Sequence, residues 1–177
     1  MALWQFRLML IPREVLVVKY GGVPPSVPME LAEEFAWWAE RQPPEGVERE
    51  LNSMLPEMQS WSNKMKMWGR KGQDDAYVSY SDESMTRVCE ISIRVDARAI
   101  SPKFVHAICA LARDLGSVLL TADYKVMEPD ELTLLNAIYE STAKKFVDNP
   151  AAALHDLDDP KVQRRLQYVL KDDKRRQ

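Results

Sequence analysis

The stretch "RVCEISIRVDAR", Arg87 to Arg98, alternates apolar and polar side chains without a slip from Cys89 onward. Successive side chains on a β-strand point to opposite faces. Cys89, Ile91, Ile93, Val95 and Ala97 therefore fall on one side, and Glu90, Ser92, Arg94, Asp96 and Arg98 on the other. A half-buried strand of this kind belongs in an antiparallel sheet that packs one face on a core and turns a polar face outward.

Working outward, the same period appears in "LWQFRLML", Leu3 to Leu10, with Trp4, Phe6, Leu8 and Leu10 toward the core and Gln5, Arg7 and Met9 away from it. Pro12 ends this strand, since proline cannot donate to a ladder. "AYVSYS", from Ala76, is a short strand joined to the opening stretch through a turn at "SDES", and "SVLLTA", from Ser117, is another. Helical periodicity separates them. "MELAEEFAWWAER", Met29 to Arg41, places Leu31, Phe35 and Trp38 on one stripe, and residues 43–57, rich in Pro and Glu, read as a connection with at most a short helical turn. "SPKFVHAICALARDL" opens with Ser101 as N-cap and Pro102 at the first helical position, and aligns Phe104, Ile108, Leu111 and Leu115. Two further helices are expected. One runs from Pro129 to about Val147 with Leu132, Leu135, Ile138, Tyr139 and Phe146 on a stripe, and one starts at Pro160 with Val162, Leu166, Val169 and Leu170.

The order strand, helix, strand, strand, helix, strand is the split pattern of ferredoxin-like sheets. The sequence thus predicts an α+β protein with a ferredoxin-like βαββαβ core of four to five mostly antiparallel strands, helices on one face and C-terminal helices beyond. Residues 1–158 are expected to form a single α+β domain, with 159–177 its C-terminal helix and charged tail.

"SWSNKMKMWG", Ser60 to Gly69, fits two templates. A helix from Pro56 would align Met58, Trp61, Met65 and Trp68; a strand would put Trp61, Asn63, Met65 and Met67 on one side and Ser60, Ser62, Lys64 and Lys66 on the other. Strict alternation is the better match, because Ser60, Ser62 and Asn63 form helices poorly. The expectation is an extra edge strand, paired with "AYVSYS" through the loop "GRKGQDD" and guarded by Lys64 and Lys66. Trp61, Met65, Met67 and Trp68 would then line the edge of the open face as an adaptable contact surface. The competing reading buries them in the core.

Composition excludes several classes. A hydrophobic fraction of 46% with 29% charged residues is that of an ordinary globular protein rather than a disordered or membrane-spanning one. Cys89 and Cys109 lack metal-type spacing and suit a reducing compartment. Gln5 and Arg7 interrupt the N-terminal apolar run, which spoils a signal peptide, so a cytoplasmic location is expected. Net charge is −3, but seven basic and two acidic residues in 161–177 give that segment +5 and leave −8 on the rest. This is read as a solvated helix end rather than a nucleic-acid contact.

Catalytic constellations are hard to assemble. His106 is expected to face solvent, and in "HDLDDP" the acids beside His155 serve better as caps for the helix at Pro160 than as metal ligands. The six glycines form no phosphate-cradling loop. No cofactor, metal or catalytic residue is therefore assigned. What remains on the polar face is Glu90, Arg94 and Asp96, facing Arg7 if the first strand neighbours this one. The candidate contact residues are Trp61, Met65 and Trp68 at the sheet edge and Arg7, Glu90, Arg94 and Asp96 on the open face. The functional expectation is a non-catalytic, bacterial-type interaction module (an inhibitor, immunity-type or accessory protein) that binds a protein partner, with self-association through the edge strand as a further route. The alternatives are a cofactor-independent enzyme or ligand-binding protein using the Arg/Glu/Asp patch, and nucleic-acid binding through the basic C-terminal helix.

Overall fold

In the computed structural model, which describes residues 2–34 and 36–156, the opening stretch is the middle strand of a seven-stranded sheet. The elements run β1 (Gln5–Pro12), α1 (Arg13–Tyr20), α2 (Met29–Glu34), α3 (Val47–Met54), β2 (Glu57–Met58), β3 (Met65–Gly69), β4 (Asp75–Tyr80), β5 (Val88–Asp96), α4 (Pro102–Asp114), β6 (Ser117–Thr121), β7 (Val126–Met127), α5 (Glu131–Glu140), α6 (Thr142–Asp148) and α7 (Pro150–Asp156). The sheet order is β2-β3-β4-β5-β1-β6-β7, with every named pairing antiparallel. Phe35, the side chains of His155 and Asp156, the expected helix from Pro160 and the basic tail lie outside what is described. No described helix is long and apolar enough to cross a membrane.

The α+β class and the antiparallel sheet hold, but the sheet has seven strands instead of four to five. The additional β2 and β7 are two residues each, too short to show any period in sequence. The "SWSNKMKMWG" stretch does supply a strand, though only from Met65 onward.

Register explains the alternation. Leu8 stands opposite Ile93, which stands opposite Ala76 and in turn Trp68; Leu10 stands opposite Ile91 and then Val78. All of these apolar residues are buried on one face. Helices α3, α4 and α5 form a layer against it, α3 touching α4 and α4 touching α5. Helix α4 starts as its sequence demands: Ser101 accepts a hydrogen bond from the Phe104 N–H and Pro102 sits in the first turn.

Three expectations need correction. Alternation along "SVLLTA" with Val118 and Leu120 inward would put Leu119 and Thr121 on the polar face, but they stand opposite Leu10 and Leu8 and so belong to the core face. Every residue of β6 is buried, so "SVLLT" carries no alternation from which to read its faces. Helix α2 ends at Glu34, and Trp37 and Trp38 are buried outside any helix. Leu10 with Ile91 is the last pair between β1 and β5, and Trp38 fills the fork beyond it, its indole donating to the Leu10 carbonyl at 2.8 Å and its backbone N–H to the Cys89 carbonyl. Finally, the single helix expected from Pro129 is two. Ser141 breaks it, donating to the Ile138 carbonyl and accepting from the Lys144 N–H to cap α6, and Leu132 and Tyr139 end up exposed while Leu134 and Ile138 are buried. Helix α1 has no counterpart in the sequence reading, because Pro12 leaves it without a side-chain cap and Val17 and Val18 stay exposed, blurring its stripe.

Candidate functional site

The polar face of the central strands is built by register. Arg7 lies opposite Arg94, which lies opposite Asp75; Met9 lies opposite Ser92, which lies opposite Tyr77; Ser79 lies opposite Glu90. Two guanidinium groups side by side would repel, and each is answered by a carboxylate. Arg7 Nη2 donates to Glu90 Oε1 at 2.9 Å and to the Tyr77 hydroxyl at 3.1 Å, while that hydroxyl donates to Glu90 Oε1 at 2.6 Å. Arg7 Nε reaches Ser92 Oγ at 3.3 Å. Arg94 pairs with Asp75, whose other oxygen accepts from Gln5 Nε2 at 2.9 Å.

The structure thus brings Arg7, Glu90 and Arg94 together, with Asp96 on the same face at its far end, held by Arg98. Asp75 was read from sequence as a turn residue. It is the first residue of β4, and the signal was present, since Asp75, Tyr77 and Ser79 share one parity.

The electrostatics are those of a closed network. Burial pushes the Asp75 carboxyl above its ordinary range, against the pull of Arg94 and Gln5. Burial, assisted by Asp96 and Asp75, raises Asp74 in spite of the Asp96 N–H it accepts. Arg98 holds Asp96 below the usual carboxylate range. Burial and the neighbouring Glu90 push the Tyr77 hydroxyl upward. Ion pairs and hydrogen bonds therefore occupy the charged groups on this face, leaving no poised base or nucleophile. The thiols are no better placed, because burial raises both Cys89 and Cys109, the latter to about 11. His106 is exposed as expected, beside Glu131 at 2.7 Å. Among the described residues no group of three or more His, Cys, Asp or Glu is placed to hold a metal.

Toward the edge, Met65, Met67 and Tyr77 make a small cluster apart from the main core, with Met58 against it. Met65 and Met67 are buried, so they do not form the open contact surface that one reading of the sequence suggested. Trp68 follows the competing, core reading: it projects from the other face of β3, is 1% exposed, and donates to Asn52 Oδ1 of α3 at 2.8 Å. Trp61 behaves differently. It sits before β3 and is 60% exposed, in a loop shaped by Ser60 Oγ, which accepts from the Ser62 N–H, and by Ser62 Oγ, which accepts from the Lys64 N–H. The sheet edge beside it is closed by the two-residue β2, which offers little to pair with. Lys66, expected as an edge guard, instead pairs with Glu48 of α3.

A cleft of about 300 Å3 opens elsewhere, where α5 approaches the β6–β7 turn, and none of Arg7, Glu90, Arg94 and Asp96 lines it. Comparison of the chain with protein-family models, curated proteins and solved structures finds no match.

Proposed function

We propose that this protein is a non-catalytic interaction module whose contact with a protein partner centres on Trp61. The observation that carries the reading is the contrast among tryptophans: Trp37, Trp38 and Trp68 are at most 2% exposed, whereas Trp61 is 60% exposed at the tip of an ordered turn. An indole left in water forgoes roughly 2 kcal/mol of burial energy, and tryptophan is prominent among the residues that dominate interface energetics. Lys64 lies exposed beside it with no side-chain partner among the described residues. The fitting partner surface is an apolar socket with an acidic rim.

The chemistry of the open face supports the non-catalytic side of the proposal, because using Arg7 or Glu90 on a substrate would require breaking bonds they make to each other. We read the four strands β4-β5-β1-β6 as a ferredoxin-like core; their antiparallel order supports that, and a fold analogy carries no function of its own. The role that suits such a module is that of a bacterial-type cytoplasmic inhibitor, immunity-type or accessory protein.

The test is co-purification with the wild-type chain, with Trp61→Ala and with Tyr139→Ala, the last removing an aromatic that is 57% exposed on α5. A partner retained by wild type and Tyr139→Ala but weakened by roughly 2 kcal/mol or more in Trp61→Ala supports the proposal. Equal retention by all three overturns it.

A further inference from the structure

The cleft between α5 and the β6–β7 turn holds polar groups that no other described residue engages. Thr121 Oγ1 accepts from the Lys125 N–H, Thr133 Oγ1 donates to Asp130, and Ser141 is committed to Ile138 and Lys144. Asp123 is likewise engaged. What remains along the lining is the Lys125 ammonium, the Glu140 carboxylate and the Asn136 amide, none of which makes a side-chain hydrogen bond or ion pair among the described residues. Phe6, Met127 and Ala137 supply apolar wall.

Glu140 is the last residue of α5, a turn without a basic residue. A carboxylate there meets the partial negative charge of the helix C-terminus, an arrangement that a cation would relieve.

We propose that this cleft binds a small zwitterion of the α-amino-acid class with an apolar side chain. The ligand ammonium meets Glu140 and the end of α5, the ligand carboxylate meets Lys125, and the Asn136 amide, both donor and acceptor, serves either group. The apolar side chain lies on Phe6 and Met127. A volume of about 300 Å3 stands at the small end of ligand sites and suits a free amino acid. The site is independent of Trp61 and lies on the opposite side of the sheet from the Arg7 network.

The test is an amide-resolved NMR titration of the full chain with L-leucine, and with its two halves in charge, 3-methylbutylamine and 4-methylpentanoate. Saturable shifts confined to residues such as Thr121, Lys125, Asn136 and Ala137 are expected, with each single-charge analogue weaker by roughly tenfold or more. Lys125→Met should weaken leucine and 4-methylpentanoate but not the amine; Glu140→Gln should weaken leucine and the amine but not the carboxylate. Both side chains are exposed, so an unchanged melting temperature is expected in both variants. Absence of saturation by about 10 mM, shifts centred outside the cleft, or analogues that bind as tightly as leucine would each overturn the proposal.

Discussion

Asp74 and Asp96 are joined by one hydrogen bond, the Asp96 N–H donating to Asp74 Oδ1 at 2.8 Å, yet their carboxyls shift in opposite directions. Arg98 lowers Asp96, so the stability that Asp96 contributes is present above its unfolded pKa and lost as pH falls through the lowered folded value. Asp74 is raised, chiefly by burial, so its contribution is present below the ordinary value of 3.8 and lost as pH rises through the raised one. Asp74→Asn keeps an oxygen for the Asp96 N–H and removes the buried charge. Its melting temperature should exceed that of wild type at pH 7, and the gap should close well below pH 3.8; a lower melting temperature at neutral pH would show that the charge itself is needed. Nearby, Gly69 has φ +107°, and an added Cβ would stand 2.3 Å from the Asp74 carbonyl oxygen. Gly69→Ala should therefore cost roughly 1–3 kcal/mol, at the upper end because the clash is with backbone, as read from urea unfolding. A neutral outcome would mean that the 70–74 turn shifts freely. The composition of "GRKGQDD" announces a turn but not these shifts or the close approach at Gly69, and only the shared parity of Asp75 with Tyr77 and Ser79 marks which acid enters the strand.

Among the strands read from the sequence, the faces of β5 were the most legible and those of β6 the least, for one physical reason. An element that divides its faces between core and water writes its period into the sequence, whereas one buried on both faces does not. Ile93 is fully buried in β5 between Leu8 and Ala76. Ile93→Ala should cost about 2–4 kcal/mol by opening a cavity, measured by urea unfolding, and a loss below about 0.5 kcal/mol would mean that the faces of the strand are reversed. Helix α4 was equally readable, because Ser101 and Pro102 mark its start as plainly as Phe104 and Ile108 mark its stripe. The long helix expected from Pro129 was misread because its apolar residues continue past Ser141, which hydrogen-bonds locally and divides the segment. Trp38 was misread as part of a helix over 29–41 because its role, filling the fork between β1 and β5, exists only once those strands have been paired.

At the scale of the whole molecule, the paired charges of the sheet face and the exposed Trp61 are separated. The Arg7–Glu90–Tyr77 group and the Arg94–Asp75 pair lace β1, β4 and β5 together, while Trp61 stands in a loop away from that lattice. The polar residues of the face were legible from alternation alone; that they answer one another, and that Trp68 belongs under α3 while Trp61 does not, depended on long-range register. The central claim is therefore that Arg7 serves the fold and Trp61 serves a contact. The measurement that tests it most directly is the urea unfolding free energy of Trp61→Ala beside that of Arg7→Met. We expect Trp61→Ala to stay within about 0.5 kcal/mol of wild type, as an exposed side chain should. Arg7→Met should lose about 1–3 kcal/mol, because it strips Glu90 and the buried Tyr77 of their shared donor. A loss above about 2 kcal/mol for Trp61→Ala, or none for Arg7→Met, would contradict the account.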